Sequence, residues 1–316
     1  MKHTVRLILL AAALTSFVAG CAPAPSGPVT IRVGVLPILD ALPMYVAQAE
    51  GYFAEAGVTV SFVPVASAAE RDQLMQTDGI DAMINDLVST MLYNQNGRQI
   101  VIVRMARTAT AEDPQYRILA SKDSGLSTPA DLAGVPIGIS EGTVIAYVTE
   151  RLLTAEGLAP EDITTVAVPK IADRMALLDS GELQAATLPD PLSSLALQSG
   201  ARLILDDTAH PEYGNSVISF RAAFVDASPR AVRSFLAALE KAVDAVNADK
   251  TRWNSLLTEQ QLVPAPLLAS YEVPTFPNAS VPTEAQFDDV LAWTKAKGLV
   301  TADVSYDGSV DESYLP

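Results

Sequence analysis

The sequence predicts an α/β protein built from two similar lobes with a cleft between them. Short β-type runs alternate with amphipathic helical patterns along the chain, which is typical of a mostly parallel sheet. The pattern of residues 71–97 returns in residues 174–200, which indicates that one lobe repeats the other. In both halves the strands end in polar residues, and these strand ends predict the position of the cleft.

The first twenty residues predict a secretory signal rather than part of the fold. Lys2 and Arg6 precede an apolar run over 7–14 that is too short to cross a bilayer. Small residues follow this run. We therefore expect residues 1–20 to be removed from the mature protein.

The end of this segment, "VAGC" (18–21), resembles the processing site of bacterial lipoproteins, in which the cysteine becomes the lipidated first residue. Cys21 is the only cysteine of the chain, so no internal disulfide is possible, and lipidation explains a free thiol in an exported protein. An ordinary cleaved signal is the alternative. We expect Cys21 to anchor the protein to the cell membrane, facing outward, through a tether over 21–28.

The mature chain is strongly acidic. Loss of Lys2 and Arg6 with the signal takes the formal net charge from −16 to −18. Phosphate backbones are bound by clustered lysine and arginine, so the composition excludes nucleic acid as a partner. About 290 residues remain, which is enough for two domains of ordinary size.

Ten runs predict strands, and the segments between them predict helices. The clearest helix covers 229–247, where Pro229 suits the first turn and apolar residues share one face. Another helix begins at Thr283 with Gln286 three residues on, which is a capping-box arrangement. The predicted strands are 31–35, 60–65, 82–85, 100–103, 117–121, 136–140, 164–168, 185–188, 202–206 and 217–225.

The internal repeat is specific at several positions. Arg71 aligns with Arg174 and Ile80 with Leu183, both at an offset of 103 residues. Upstream, "IRVGV" aligns with "VPIGI" at an offset of 104. The repeat therefore predicts the same order in each half: strand, loop, helix, strand, short helix and a strand with a polar end.

Four acidic residues follow four of the predicted strands: Asp40, Asp86, Glu141 and Asp190. In two-lobed α/β proteins the crevice lies beyond the carboxyl ends of the strands, so we expect these acids to point toward one cleft. Each acid also suits the start of the helix that follows it. Helix capping is therefore the alternative for each residue taken alone.

Three segments carry a resemblance to a known family: "GYFAEAGV" (51–58), "GIDAMIND" (79–86) and "TPADLAGVPIGI" (128–139). With the lipoprotein signal and the two lobes, they resemble periplasmic-type solute-binding proteins. The branch that they resemble most includes binding proteins for alkanesulfonates, nitrate, the pyrimidine precursor of thiamine, and riboflavin. The resemblance implies the periplasmic-binding-protein fold, and capture of a small molecule for an ABC importer with its permease and ATPase subunits.

The same resemblance implies the domain organisation. In this family the chain crosses between the lobes twice, here near 116–121 and 215–220, and its C-terminal helices return to the first lobe. Lobe one is then expected to comprise 29–117 and 217–316, and lobe two 118–216.

Ligand-facing positions of the family correspond here to the loop 37–43, to Asn85 and Asp86, to 141–143 and to Asp190 with the proline that follows it. Tyrosines near the cleft are candidates for stacking on a flat ligand. The expected ligand-binding residues are Asp40, Tyr45, Asn85, Asp86, Tyr116, Glu141, Gly142, Thr143, Asp190 and Asn215.

These acids favour a ligand that donates hydrogen bonds. Four carboxylates would repel an anion and would accept bonds from N–H and O–H groups. We therefore expect a flat, donor-rich, vitamin-type heterocycle, and riboflavin rather than the thiamine pyrimidine precursor, because four carboxylates are many for a small pyrimidine. The alternative is an alkanesulfonate- or nitrate-type anion held at the helix start of Gly142 and Thr143. No cofactor and no metal are expected.

Catalysis is not expected. The mature chain has one histidine, His210, which lies in "DDTAHPEYG" (206–214) without a nucleophile motif beside it. Cysteine and histidine are too few for the usual zinc site. A ligand-sensing lipoprotein that uses the same fold without a transporter is a further alternative.

Overall fold

A computed structural model of the chain describes residues 27–316, apart from the side chain of Asn215. The expected signal peptide, Cys21 and all but the end of the tether lie outside the described residues. Within residues 27–316, no helix is both long and apolar enough to cross a bilayer.

Strands and helices alternate through most of the described chain. The strands are β1 (Val29–Val35), β2 (Val58–Pro64), β3 (Ala82–Asn85), β4 (Ile100–Thr108), β5 (Tyr116–Ala120), β6 (Ile137–Ile139), β7 (Thr165–Ala167), β8 (Ala185–Pro189), β9 (Arg202–Asp206) and β10 (Asn215–Arg221). The helices are α1 (Leu42–Ala49), α2 (Tyr52–Glu55), α3 (Ala68–Gln76), α4 (Leu87–Asn94), α5 (Val144–Ala155), α6 (Ile171–Ser180), α7 (Leu192–Gln198), α8 (Ala222–Ala227), α9 (Pro229–Ala248), α10 (Asn254–Glu259), α11 (Glu284–Ala296) and α12 (Tyr306–Ser309).

The strands form two five-stranded mixed sheets with the same internal order. The first sheet runs β2-β1-β3-β10-β4 and the second β7-β6-β8-β5-β9. In each sheet three strands are parallel neighbours, and one strand is antiparallel to both of its neighbours: β10 in the first sheet, β5 in the second. The predicted α/β architecture of two similar lobes is confirmed.

The chain crosses between the sheets twice. The first crossing lies between Thr108 and Tyr116, and the second between Asp206 and Asn215. After the second crossing the C-terminal part begins with β10 in the first sheet. The residue-level boundaries of the lobes remain a prediction.

The core of lobe one is built around α9, whose amphipathic pattern the sequence predicts correctly. Burial of one such side chain contributes about 1.5–3 kcal/mol, so this helix carries much of the stability of the lobe. The predicted stripe is Val232, Phe235, Leu236, Leu239, Val243 and Val246, each at most 2% exposed. The capping box of α11 is also present: Thr283 Oγ1 accepts from the Gln286 N–H at 3.2 Å, and Gln286 Oε1 accepts from the Thr283 N–H at 3.0 Å.

A second apolar cluster joins the two lobes. It contains Met91 of α4 from lobe one, Val148 of α5 from lobe two, and Phe287 of α11. Beside it, Arg151 Nη2 of α5 lies 2.7 Å from Asp289 Oδ1 of α11. The lobes therefore pack directly against each other where α5 meets α11.

One predicted strand ends early. The run 217–225 was expected to be extended throughout, but β10 ends at Arg221 and its apolar continuation forms α8. Arg221 Nη2 lies 3.0 Å from Asp81 Oδ1, at the start of β3, which fixes the chain there. Short apolar runs do not distinguish strand from helix by pattern alone, and here tertiary contacts decide.

Candidate functional site

A cavity between the two lobes is the candidate site. Its volume is about 70 Å³, below the range of about 300–1,000 Å³ that is typical of small-molecule sites. It lies beyond the carboxyl ends of β1, β3, β6 and β8, and Tyr116 and Ser216, at the starts of β5 and β10, form part of its wall. The sequence predicts the cleft at this place.

Two buried arginines line the cavity, one from each lobe: Arg71 of α3 and Arg174 of α6. Each arginine stem packs on a glycine of the neighbouring strand. A Cβ added to Gly34 would lie 3.7 Å from Arg71 Cγ, and one added to Gly138 would lie 3.3 Å from Arg174 Cγ. The closest neighbours are Ile80 Cδ1, at 2.7 Å from a Cβ at Gly34, and Leu183 Cδ1, at 2.6 Å from one at Gly138, so glycine leaves room mainly for these side chains and the arginine stems pack beside them.

The donors of Arg71 are engaged within lobe one. Nη1 donates to the Ile84 carbonyl oxygen at 3.1 Å, Nη2 to Ser89 Oγ at 3.3 Å, and Nε to Asp72 Oδ1 at 2.8 Å. Burial lowers the pKa of the Arg71 guanidinium, but the carboxylates of Asp72 and Asp86 raise this pKa by more. The charge of Arg71 is therefore balanced by its own lobe.

Arg174 donates to two backbone carbonyl oxygens and has no carboxylate partner in residues 27–316. Nε donates to the Thr187 carbonyl oxygen at 2.8 Å and Nη1 to that of Val168 at 2.7 Å. The side chain is fully buried, and burial lowers its pKa to about 10, so it is charged at neutral pH. Among the described residues, nothing accepts a hydrogen bond from Nη2. The cavity wall thus holds a buried positive charge with a free donor.

Asn85, at the end of β3, contributes a free acceptor. Its Nδ2 donates to Thr90 Oγ1 at 3.2 Å and to the Asp86 carbonyl oxygen at 3.4 Å. No donor in the described part of the chain reaches its Oδ1, although the residue is only 2% exposed. Asn85 lines the cavity as the sequence led us to expect.

Asp40 lines the cavity and also ties the crossings of the chain to lobe one. Its Oδ2 accepts hydrogen bonds from the hydroxyl of Ser216 and, at 3.3 Å, from Gln115 Nε2. Its Oδ1 lies 3.8 Å from Arg107 Nη1. This carboxylate is therefore neutralised by protein groups, and direct contact between Asp40 and a ligand remains a prediction.

Asp86 and Thr143 line the cavity from opposite lobes and both cap helices. Asp86 Oδ1 accepts from the Ser89 N–H at 2.8 Å at the start of α4, and Thr143 Oγ1 accepts from the Ile145 N–H at 3.2 Å at the start of α5. The pKa of Asp86 is raised, because burial outweighs the lowering by Arg71 and by the backbone N–H groups of Ser89 and Val144. The capping alternative is correct for Asp86, Thr143 is also a cap, and a ligand contact of either residue remains a prediction.

Three expected site residues lie outside this cavity: Tyr45, Glu141 and Gly142. Glu141 is exposed, and Gly142 has φ +65°, a conformation that suits glycine in the turn before α5. The ring of Tyr45 packs on Phe62 with 4.6 Å between centroids and lines a separate groove on lobe one.

Asp190 also lies outside the cavity, in a cluster that links the lobes. Its Oδ1 is 2.8 Å from Arg117 Nη1, and its Oδ2 is 4.0 Å from Arg107 Nη2. The hydroxyl of Tyr271 donates to the same carboxylate. Because Tyr271 packs against the core of lobe one, this hydrogen bond joins lobe one to the end of β8 in lobe two.

The two crossings are held together by Asp207. Its buried carboxylate accepts from the backbone N–H groups of Gln115 at 2.9 Å and Tyr116 at 3.2 Å. Burial raises the pKa of Asp207 to about 6. Tyr116 lines the cavity, and burial raises its pKa well above 10, so it stays a neutral phenol. Asn215 begins β10, and its side chain is outside the described part of the structure.

The sequence interpretation missed Arg71 and Arg174 as residues of the cavity. The signal that points to them was present, because the repeat aligns the two arginines at an offset of 103 residues. An arginine that occupies the equivalent position in both lobes indicates a structural or ligand-binding role in each.

Two sheets of identical order, two crossings of the chain and a cavity at the strand ends define the periplasmic-binding-protein fold. The chain belongs to the NMT1/THI5-like family, because the family model described as "NMT1/THI5 like" matches residues 39–251.

Comparison with known proteins gives the following relatives. The chain is 29% identical over 156 residues to the putative aliphatic sulfonates-binding protein of Escherichia coli, covering 49% of this chain and 48% of that protein. The match thus spans about half of that relative's length. A second match, 29% identical over 145 residues, is an uncharacterised methyltransferase of Geobacillus kaustophilus, covering 43% of this chain and 67% of that protein. The alkanesulfonate-binding protein SsuA from Xanthomonas axonopodis pv. citri, solved with MOPS bound, superposes with a TM-score of 0.76 at 20% identity, covering 90% of this chain and 99% of that chain.

Proposed function

We propose that the chain is the solute-binding protein of an ABC importer and captures a small organic anion in the cavity between its lobes. The observation that carries this proposal is Arg174, a buried guanidinium whose Nη2 has no partner in residues 27–316. A buried charge without a counterion is unfavourable, and an anionic group at Nη2 would supply both the charge and the acceptor. The names of the Escherichia coli and Xanthomonas relatives, which refer to sulfonates, support an anion.

The remaining cavity wall favours an aliphatic body on this anion. Apolar side chains from both lobes surround the polar groups, and such walls bind the hydrocarbon part of a ligand while a few polar groups orient it. These side chains are Leu36, Ile38 and Ile84 from lobe one, and Val144, Ile145 and Ile171 from lobe two.

Riboflavin, which the sequence favours, is not the ligand that this cavity favours. That expectation depended on four unpaired carboxylates. Asp40 faces Arg107 and Asp190 faces Arg117, while Glu141 is exposed. Since these acids do not present free negative charge to the cavity, the alternative of a sulfonate-type anion is the better supported one.

The proposal includes the location and the partners of the protein. Cys21 would anchor the mature chain on the outer face of the cell membrane, and closure of the lobes would present the ligand to the permease and its ATPase subunits. A sensing lipoprotein remains the alternative class. Genes for an ABC permease next to this one would favour transport.

Binding without turnover is part of the same proposal. His210 lies on the second crossing, where its ring stacks on Tyr213 with 5.3 Å between centroids and its Nδ1 is 3.3 Å from Glu212 Oε1. It does not line the cavity. The polar side chains of the cavity wall include two helix caps, Asp86 and Thr143, and the Asn85 amide, which suit recognition of a ligand.

Isothermal titration calorimetry of the purified protein tests the proposal. The titrants are methanesulfonate to butanesulfonate, nitrate and, as the control, riboflavin. We expect one of the sulfonates to bind 1:1 with micromolar affinity or better and to be recovered chemically unchanged. Saturable binding of riboflavin with no binding of any anion would contradict the proposal.

A further inference from the structure

Each lobe contributes to the cavity wall one residue with an unpaired hydrogen-bonding atom, and the two atoms have opposite character. Lobe two presents a donor, Arg174 Nη2, and lobe one presents an acceptor, Asn85 Oδ1, neither of which has a partner in residues 27–316. Both residues are at most 2% exposed. Leaving a buried polar atom unpaired is unfavourable, so each of these atoms indicates a group that the ligand supplies.

The orientation of the Asn85 amide is fixed by its neighbours. Its Nδ2 faces the carbonyl oxygen of Asp86, which only accepts hydrogen bonds. Turning the amide over would place Oδ1 against that oxygen and lose the bond. The atom left unpaired on Asn85 is therefore an acceptor.

The ionisable side chains around the cavity also matter for what the ligand supplies. Two arginines and two carboxyl groups line it: Arg71 and Arg174, and Asp40 and Asp86. Tyr116 is neutral because burial raises its pKa. A ligand with an anionic group alone would satisfy Arg174 but leave Asn85 Oδ1 unpaired.

We propose that the ligand is an anion that also carries an N–H or O–H donor, and that Asn85 Oδ1 accepts the hydrogen bond from this donor. This inference rests on the proposed capture of an anion and adds the second half of the recognition. A ligand of this class contacts lobe two through its anionic group and lobe one through its donor. It therefore favours the closed state, in which both atoms lie in one cavity.

A set of isosteric ligands tests this inference on the unmodified protein. 1-Propanesulfonate, 2-hydroxyethanesulfonate and 2-aminoethanesulfonate have the same head group and chain length and differ only in a terminal methyl, hydroxyl or ammonium group. The same comparison is made with butanoate, 3-hydroxypropanoate and 3-aminopropanoate. Dissociation constants are measured by calorimetry, and we expect a donor-bearing member to bind at least about tenfold more tightly than its methyl counterpart.

Two variants identify the residue responsible. Asn85→Leu has a similar side-chain size and removes the acceptor, so we expect the ratio of the affinities for the donor-bearing and methyl ligands to fall to about one. Thr90→Val is the matched control. It removes one partner of Asn85 Nδ2 but leaves the Asp86 carbonyl to hold the amide, so the preference should remain.

The two proposals fail in different ways. Equal affinity for the methyl, hydroxyl and ammonium members would overturn the donor inference and leave the capture of an anion intact. Retention of the donor preference in Asn85→Leu would overturn the role of Asn85. If no member of either set binds, the proposed anion function is wrong, and this inference is wrong with it.

Discussion

Arg71 and Arg174 occupy equivalent positions in the two lobes, and each donates to a carbonyl oxygen of the adjacent strand 13 residues further along: that of Ile84 at 3.1 Å and that of Thr187 at 2.8 Å. The scaffold is therefore symmetric, but the electrostatics are not. At the repeat offset of 103, Met175 stands where lobe one has Asp72, and Pro189 stands where it has Asp86. Lobe two lacks the counterions of lobe one, which leaves its arginine available to a ligand.

The hydrogen bond from Tyr271 to Asp190 is expected to stabilise the closed arrangement of the lobes. Tyr271→Phe removes one bond to a charged acceptor, worth about 1.5–3 kcal/mol, and should shift the unliganded protein toward an open state. We expect a larger radius of gyration in small-angle scattering and weaker ligand binding.

The matched control for this variant is Tyr306→Phe. Tyr306 donates to the Pro282 carbonyl oxygen at 2.7 Å within the C-terminal segment. The Tyr306→Phe variant should lose this hydrogen bond and keep the radius of gyration of the parent. Identical scattering of parent and Tyr271→Phe would show that this bond does not hold the lobes together.

Asp207 is expected to make stability depend on pH. Burial raises its pKa from 3.8 to about 6, so the folded state binds this proton more tightly than the unfolded state. The free energy of unfolding should therefore fall as pH rises from about 4 to about 6, by about 3 kcal/mol from this group, and stay lower above that range. Asp207→Asn removes the titration and keeps an acceptor for the Gln115 and Tyr116 N–H groups.

Urea unfolding of parent and variant between pH 4 and pH 7 measures this contribution. Asp206→Asn, at the adjacent and less buried position, is the control and should follow the parent. If the parent and Asp207→Asn show parallel pH profiles, the protonation of Asp207 does not contribute.

Asp40 is expected to matter for stability at least as much as for binding. Asp40→Ala leaves Arg107 buried with one carboxylate fewer and removes the acceptor of Ser216 and Gln115. Breaking a buried ion pair from one side costs about 3 kcal/mol or more. Thermal unfolding should show a clear loss of stability, and a variant with unchanged stability and lost binding would instead assign Asp40 to the ligand.

The elements and the repeat were predictable because they depend on local patterns. The stripe of α9, the capping box at Thr283 and the strand–helix alternation each arise from residues close in sequence. The repeat then predicted two lobes, and parallel strands direct their carboxyl ends to a shared crevice. The position of the cleft followed from these two facts.

The roles of the individual acids were not predictable in this way. Asp40 accepts hydrogen bonds from Gln115 and Ser216, which lie 75 and 176 residues away in the sequence. Whether a carboxylate is free or paired depends on such distant partners, which a local pattern does not contain. The sequence interpretation therefore overestimated the number of unpaired carboxylates at the cavity.

The central claim is that Arg174 binds the anionic group of the ligand, and one comparison of variants tests it most directly. The tightest-binding sulfonate or carboxylate is titrated into the parent, Arg174→Gln and Arg71→Gln, and the melting temperature of each is recorded. Both variants lose a bond to a strand carbonyl, so both should lose stability. Loss of a charged hydrogen bond of about 1.5–3 kcal/mol predicts that Arg174→Gln binds about 10- to 100-fold more weakly, with a much smaller effect for Arg71→Gln. Unchanged affinity in Arg174→Gln, or an equal loss in both variants, would contradict the account.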